Sequence, residues 1–276
     1  MDPIRRLRQI PLDRPVAVIG FDGWADASSV SSGTAEYLLD DDAEPFAIIE
    51  SEDYFDFGET RPVVTVADGQ VVSMTWPSTK ISHSVHDGRD VIVVSGPEPG
   101  LRWKSYARHL GAYLAELGVE SVVTVGAFVG QVPHTVPTPI FAVASDPDLL
   151  IEYNLVGSDY EGPTSVYSVI VEALREEGIQ AVGLWGGCPH YLGSNSNPKV
   201  MLALVNAVGR VLRLRIDASE LSVLAGEFEA RVDSALGQSE DLADYVAELE
   251  RAVSGVEDED VDTLIDEVEE FLKRGQ

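Results

Sequence analysis

The sequence predicts an α/β fold: a mostly parallel sheet flanked by helices, followed by a small C-terminal all-helical subdomain. Over residues 1–216, short apolar runs alternate with longer amphipathic stretches, which is typical of strands joined by helices. Residues 217–276 instead show helical periodicity and carry 19 acidic against 4 basic residues. The composition, with 45% hydrophobic residues in 276, is that of a globular chain. We therefore predict an α/β domain over residues 1–216 and an acidic helical subdomain over residues 217–276.

The elements of the first domain follow from apolar periodicity and from turn residues. The predicted strands are residues 15–21, 46–49, 90–94, 121–125 and 181–185. The predicted helices are residues 26–38, 102–117, 164–177 and 199–212. A hairpin is predicted for residues 63–66 and 71–76, because Asp68-Gly69 favours a tight turn between two apolar runs. Parallel strands joined by helices place their carboxyl ends, and the loops that follow, along one edge of the sheet.

The tail contains three apolar stripes at helical spacing, within residues 221–232, 242–253 and 261–272. Each stripe is narrow and has to be buried against another surface. Two interpretations stay open at this point: the tail is an assembly element that contacts another subunit, or it is a solvated acidic appendage packed on its own domain.

Charge and cysteine content exclude several classes of protein. The 47 acidic and 19 basic residues give a net charge of −28, which repels nucleic acids and anionic lipids. The sequence contains no run of about 20 apolar residues, which is the length that a membrane-spanning helix needs. The start of the sequence lacks an apolar signal region, and the single Cys188 cannot form an intramolecular disulfide. We therefore expect a cytoplasmic protein without nucleic-acid or membrane partners.

The loop after the first strand is the first candidate site, since it carries Asp22, Trp24 and Asp26 before a helix. The start of a helix suits a phosphate group, but the two carboxylates oppose an anion unless a divalent cation lies between them. Alternatively, the aspartates form a turn and cap the helix. No nucleotide-binding, serine-hydrolase or zinc-protease motif is present in the sequence.

Two further strand ends carry polar loops. Glu98 lies in a loop rich in proline and glycine before a helix, and it either acts in a site or complements the helix dipole. His134 and His190 lie in similar Pro-His segments and are expected at the same edge of the sheet, as a cleft or as separately bonded loop anchors. Two histidines do not make a metal site, so no metal or cofactor is predicted. Cys188 is interpreted as a buried structural thiol.

Six segments, in this order along the chain, make it resemble the PAC2 family, named after proteasome assembly chaperone 2. They are Gly20-Phe21-Asp22-Gly23-Trp24-Ala25-Asp26-Ala27, Gly96-Pro97-Glu98-Pro99 with Trp103, Val132-Pro133-His134-Thr135, Gly162-Pro163-Thr164, Pro189-His190-Tyr191 and Asn197-Pro198-Lys199. The resemblance covers about residues 15–275, and the acidic helical tail is similar to that of the actinobacterial-type branch.

The resemblance implies a sandwich like that of nucleoside phosphorylases and hydrolases, with a small helical subdomain. It also implies oligomers, since relatives form heterodimers or homo-oligomeric rings, and eukaryotic members chaperone the assembly of proteasome α-subunits. Some members carry a label of ATP-grasp-like carboligase, which the missing basic phosphate loop does not support. The family supplies no agreed catalytic residues.

Two functional hypotheses follow. The first is a non-enzymatic assembly or interaction protein, whose partners are itself and proteasome-related or other protein subunits. The second is an enzyme or binding protein for a small nucleoside-like ligand at the carboxyl ends of the strands. An assembly protein predicts an exposed apolar patch, whereas the second hypothesis predicts a concave pocket lined by the loop residues.

Overall fold

The computed structural model describes residues 3–50, 52–193, 195–237 and 240–254. Its strands are β1 (Ile4–Arg6), β2 (Val16–Asp22), β3 (Ala47–Ile49), β4 (Val63–Ala67), β5 (Gln70–Thr75), β6 (Thr79–His86), β7 (Arg89–Pro97), β8 (Ser121–Gly130), β9 (Ile140–Ala144), β10 (Val156–Gly157) and β11 (Gln180–Pro189). Its helices are α1 (Val30–Tyr37), α2 (Trp103–Glu116), α3 (Asp148–Glu152), α4 (Val166–Glu176), α5 (Pro198–Leu212), α6 (Ser219–Leu236) and α7 (Glu240–Ser254).

The main sheet has the strand order β1-β3-β6-β7-β2-β8-β11-β9-β10. The four central strands, β7, β2, β8 and β11, are mutually parallel, so their carboxyl ends share one edge. Antiparallel pairing joins β1, β3 and β6 to one side of this centre and β9 to the other. The predicted fold class, an α/β sheet flanked by helices with a helical C-terminal part, is confirmed.

The alternation of apolar side chains along β2 builds two cores. Ile19 and Phe21 lie in the core under α2 and α4, whereas Val16 and Val18 lie in the core under α1 and α5. Successive side chains of a strand point to opposite faces, so a continuous apolar run such as β2 has to be covered on both sides. The uninterrupted run in the sequence therefore corresponds to a strand at the centre of three layers.

The predicted hairpin is present as β4 and β5, which form a separate two-stranded sheet. Its turn residues Asp68 and Gly69 have φ angles of 51° and 76°, the left-handed conformation that a tight two-residue hairpin turn requires. All eleven strand residues are exposed. The turn chemistry alone was sufficient to predict this element, but its exposure was not predicted.

Several elements differ from the sequence-based expectation. The helix predicted from residue 26 begins at Val30 after a single 3₁₀ turn, and β8 and β11 extend well beyond the predicted strands. Strands β1, β6, β9 and β10 and the short helix α3 were not predicted. Strand β6 was not predicted because several of its buried residues are polar; Thr79 and Ser84 are accommodated by hydrogen bonds within the fold, with Thr79 Oγ1 2.7 Å from Tyr106 Oη.

The C-terminal helices continue directly from the α/β domain. Helix α6 packs on α5 and buries Leu221 and Ala225, and α7 buries Val246 and Leu249. The third predicted stripe, residues 261–272, lies outside the described residues. The division of the chain at residue 216 stays a prediction. In the described part of the chain, no helix combines the length and apolarity needed to cross a membrane.

Candidate functional site

A pocket of about 530 Å³ opens at the carboxyl ends of β2, β8 and β11. Aromatic side chains make up much of its wall: Trp24, Phe128, Phe141, Tyr160 and Trp185. Its polar lining residues are Asp26, Ser28, Ser158, Thr164, Ser168 and His190. Parallel sheets commonly bind ligands at this edge, where the loops after the strands leave a crevice. The pocket is therefore the candidate functional site.

The position of the Trp185 indole depends on a glycine in the neighbouring strand. Trp185 in β11 pairs with Gly126 in β8, and a Cβ atom at residue 126 would lie 2.9 Å from the indole. The indole therefore lies directly over the backbone of β8, beside the pocket. A glycine inside an apolar strand is a sequence signal for such a close approach.

Asp26 accepts hydrogen bonds from the first turn of helix α1 and lines the pocket. Its Oδ1 accepts a hydrogen bond from the Ser32 backbone N–H at 3.0 Å, and its Oδ2 accepts one from Ser32 Oγ at 2.6 Å. Burial is the largest influence on this carboxyl group and raises its pKa; the Ser32 hydrogen bonds act in the opposite direction. Asp26 is thus held at the start of α1, whose N-cap residue is Ser29, while Asp22 is exposed and lies outside the pocket lining.

Glu98 joins two segments that border the pocket. Its Oε2 accepts a hydrogen bond from the Trp24 backbone N–H, and its Oε1 accepts one from the Val166 backbone N–H, both at 2.9 Å. One carboxylate therefore fixes the loop after β2 and the start of α4. Glu98 does not itself line the pocket.

A buried hydrogen-bonded chain beneath the pocket was not predicted from the sequence. The Phe21 backbone N–H donates to Tyr167 Oη at 2.6 Å, and Tyr167 Oη lies 2.7 Å from Ser31 Oγ, which donates to the Val125 carbonyl. These contacts connect β2, α4, α1 and β8. Full burial raises the pKa of Tyr167, which keeps the phenol protonated and able to donate. No motif marks Tyr167 in the sequence.

His134 is buried and bonded on both ring nitrogens. Tyr191 Oη accepts the His134 backbone N–H at 2.7 Å and lies 2.7 Å from His134 Nδ1. The other ring nitrogen, Nε2, faces the carboxylate of Asp233 in α6 at 3.0 Å. The carboxylate beside His134 thus comes from the tail, not from the loops after the strands.

His190 lines the pocket and contacts the other tail helix. Its Nδ1 donates to the Gly130 carbonyl at 3.2 Å, and its Nε2 lies 3.1 Å from Tyr245 Oη of α7. The His134 and His190 rings both contact the Tyr191 ring, with centroid distances of 5.9 and 5.5 Å. The two histidines therefore lie close together, but only His190 reaches the pocket.

Of the six residues singled out in the sequence, Trp24, Asp26 and His190 line the pocket, and Asp22, Glu98 and His134 do not. Two other aromatic residues of the wall, Phe141 and Tyr160, were not predicted because their segments were not recognised as part of the sheet edge. Any functional role of the six residues stays a prediction.

The sequence matches the model of the PAC2 family over residues 20–236. The chain belongs to the PAC2 family. A PAC2 family protein from Streptomyces avermitilis is 41% identical; the match covers 84% of this chain and 99% of that one, with a TM-score of 0.76. A proteasome-assembly chaperone homologue from Mycobacterium tuberculosis, Rv2125, is 33% identical over 84% of this chain and 99% of that one, with a TM-score of 0.77. None of the curated proteins matches significantly.

A more distant structure shows that this PAC2 protein shares its fold with an archaeal protein. The proteasome activator PbaB from Pyrococcus furiosus is 19% identical, with a TM-score of 0.63 over 84% of this chain and 97% of that one. At this identity the comparison supports the fold alone.

Neither a metal site nor a reactive thiol is found in the described part of this PAC2 protein. No group of three or more histidine, cysteine, aspartate or glutamate side chains is arranged to hold a metal there. The Cys188 thiol is fully buried and lies 3.6 Å from the Ala27 carbonyl. Burial raises its pKa to about 12, so it stays a thiol rather than a nucleophilic thiolate.

We predict that Cys188 resists alkylation in the folded protein. Because each pKa unit changes the thiolate fraction tenfold, iodoacetamide at pH 8 should react at least about a thousandfold more slowly with the native protein than with the protein in urea. Mass spectrometry of the modified peptide measures both rates. Equal rates in the two states would show that the thiol is accessible and ionised, contrary to its position in the structure.

Proposed function

We propose that this PAC2 protein is a non-enzymatic, assembly-chaperone-like protein that binds protein subunits and associates with itself. The observation that carries the proposal is the apolar face of the β4–β5 hairpin, which no other described residue covers. Large exposed apolar surfaces on proteins mark interaction sites.

One face of the hairpin is apolar. Strand pairing places Val64 opposite Met74 and Val66 opposite Val71. The register shifts between Thr65 and Val66, so Val72 is an extra residue of β5 and lies on the same side as its neighbour Val71. These five side chains are between 46% and 62% exposed. The other face carries mainly polar or small residues, namely Val63, Thr65, Ala67, Gln70, Ser73 and Thr75. An isolated two-stranded hairpin is only marginally stable in water, so a partner that covers the apolar face would stabilise it.

The low charge of the hairpin favours a second copy as its occupant. Residues 63–75 contain one charged side chain, Asp68, in a protein of net charge −28. Two copies repel each other least where they bring few charges together. A two-fold axis would bring the same apolar face of two copies together. Two-fold interfaces of this kind are the commonest in homo-oligomers. At its base, Trp76 contacts Phe57 with a ring-centroid distance of 4.8 Å, which ties the hairpin to the domain.

The relatives support protein subunits as further partners. Rv2125, at 33% identity, is described as a proteasome-assembly chaperone homologue. We propose proteasome-related or other protein subunits as partners of this chain. We place this interaction in the cytoplasm, because the one cysteine of the sequence is a buried free thiol, as is usual in that reducing compartment. The enzymatic alternative finds no support in Cys188, whose thiol is buried and protonated.

Self-association through an apolar face predicts a specific dependence on salt. Screening of the −28 charge weakens repulsion between copies, so we expect oligomers at 0.5 M NaCl and a shift toward the monomer at 10 mM NaCl. Light scattering coupled to size-exclusion chromatography measures the mass. A mass of 29.8 kDa at every salt concentration would contradict the self-association. Crosslinking in the native cell, followed by mass spectrometry, then identifies other subunits.

A further inference from the structure

The pocket carries an inference beyond the assembly role. We infer that it binds a small organic cation with an aromatic or aliphatic body, and that it rejects phosphates and carboxylates. Its volume of about 530 Å³ lies within the range of small-molecule sites in proteins. The ligand class follows from three properties of the pocket: its aromatic walls, its single carboxylate and the arrangement of its hydrogen-bond donors.

The aromatic walls suit a cation. Two tryptophans, a tyrosine and two phenylalanines line the pocket: Trp24, Trp185, Tyr160, Phe128 and Phe141. The Phe128 and Phe141 rings are tilted by 42° with centroids 5.9 Å apart, so they form a corner rather than a flat stack. Aromatic faces attract ammonium groups, tryptophan most strongly, and cages of such rings are the usual protein site for quaternary ammonium ions.

The charge of the lining points the same way. Among the described residues that line the pocket, Asp26 is the only acidic one, and none is a lysine or arginine that would oppose a cation or neutralise an anion. The carboxylate is fixed by its two hydrogen bonds from Ser32, so it does not have to be ordered by the ligand. The net charge of −28 raises the local concentration of cations around the whole protein.

Two groups that could otherwise bind an anion at the pocket already have partners within the protein. The Ser32 N–H at the start of α1 donates to Asp26, so a phosphate would have to compete with a carboxylate there. His190 donates its Nδ1 proton to the Gly130 carbonyl, and its Nε2 contacts Tyr245. Neither group is therefore available as a free donor to an oxyanion. A nucleotide is disfavoured because its phosphate would lie near the Asp26 carboxylate without a lysine or arginine among the described lining residues. An uncharged nucleoside could use the aromatic walls, but it would gain no attraction from that carboxylate.

Three probes of one shape and different charge test the ligand class. We expect isothermal titration calorimetry at pH 7.5 to show binding of 1-naphthylmethylammonium, roughly tenfold weaker binding of 1-naphthalenemethanol, and no binding of 1-naphthoate. Equal affinities for the ammonium and the alcohol would overturn the inference, as would binding of the carboxylate or the absence of ammonium binding at millimolar concentration.

Two matched variants locate the site. Asp26→Asn should lower the affinity for the ammonium about tenfold and leave the alcohol unchanged, because the amide oxygen still accepts the Ser32 N–H. Asp22→Asn makes the same charge change in the same loop outside the pocket and should have less than a twofold effect. Equal effects of the two variants would place the cation elsewhere. Unchanged thermal unfolding of both variants excludes loss of fold as the cause.

A third variant separates this inference from the assembly role. Trp24→Ala removes a half-exposed indole from the pocket rim and should weaken binding of the ammonium and of the alcohol together. A change on the hairpin, Val66→Asp, should leave ammonium binding intact, since the residue does not line the pocket. Ammonium binding by a strictly monomeric protein would overturn the proposed self-association and support the cation site; oligomers without ammonium binding would do the reverse.

Discussion

Val66→Asp is expected to convert the proposed oligomer into monomers of 29.8 kDa. Val66 lies in the middle of the apolar hairpin face and is 56% exposed in the isolated chain. An aspartate there would be buried without a partner when two such faces meet. An unpaired buried charge costs about 3 kcal/mol or more, so the association constant should fall by at least about a hundredfold. Light scattering over a concentration series measures this change.

The opposite face of the same hairpin provides the control. Thr65→Asp adds the same charge one residue away, on the polar face, and should leave the oligomer largely intact. Both residues are exposed, so neither variant should change the thermal unfolding of the monomer. Equal dissociation by the two variants would mean that added charge, rather than loss of the apolar face, breaks the oligomer. Dissociation by neither variant would place the interface elsewhere.

Glu98→Ala is expected to lower the free energy of unfolding by about 3 kcal/mol. The change leaves the backbone N–H groups of Trp24 and Val166 without their carboxylate partner, and hydrogen bonds to charged groups contribute about 1.5–3 kcal/mol each. Glu98→Gln keeps one acceptor oxygen and should cost roughly half as much. Urea unfolding followed by tryptophan fluorescence measures both losses.

Glu59→Ala removes an exposed glutamate and serves as the control, with an expected change within about 0.5 kcal/mol. If Glu98→Ala were no more destabilising than Glu59→Ala, the carboxylate would not hold the two segments together. Because Glu98 fixes the backbone of Trp24, the alanine variant should also weaken binding of the naphthyl ammonium in the folded protein. The same variant thus reports on both the stability of the fold and the wall of the pocket.

Local sequence signals predicted the centre of the fold well. The apolar run of β2 is buried on both faces, the Asp68-Gly69 turn closes the hairpin, and the helix predicted for residues 199–212 is present as α5. Each of these features depends on residues that are close together in the chain. Strand β10 has only two residues, too few to show any periodicity. Strand β9 is a short apolar run, Ile140–Ala144, and only its antiparallel pairing with β11 shows that it belongs to the sheet.

The sequence by itself determined the α/β class, the central strands, the hairpin, the acidic charge and the PAC2 resemblance, since all of these follow from composition, periodicity and short motifs. Only the tertiary structure decided which side chains meet. His134 is bonded to Asp233, 99 residues further along the chain, rather than to a neighbouring loop. The pocket likewise combines Trp24, Phe141 and Trp185 from three separate segments. Such contacts depend on how distant elements pack around a common core, and local sequence patterns carry no record of that packing.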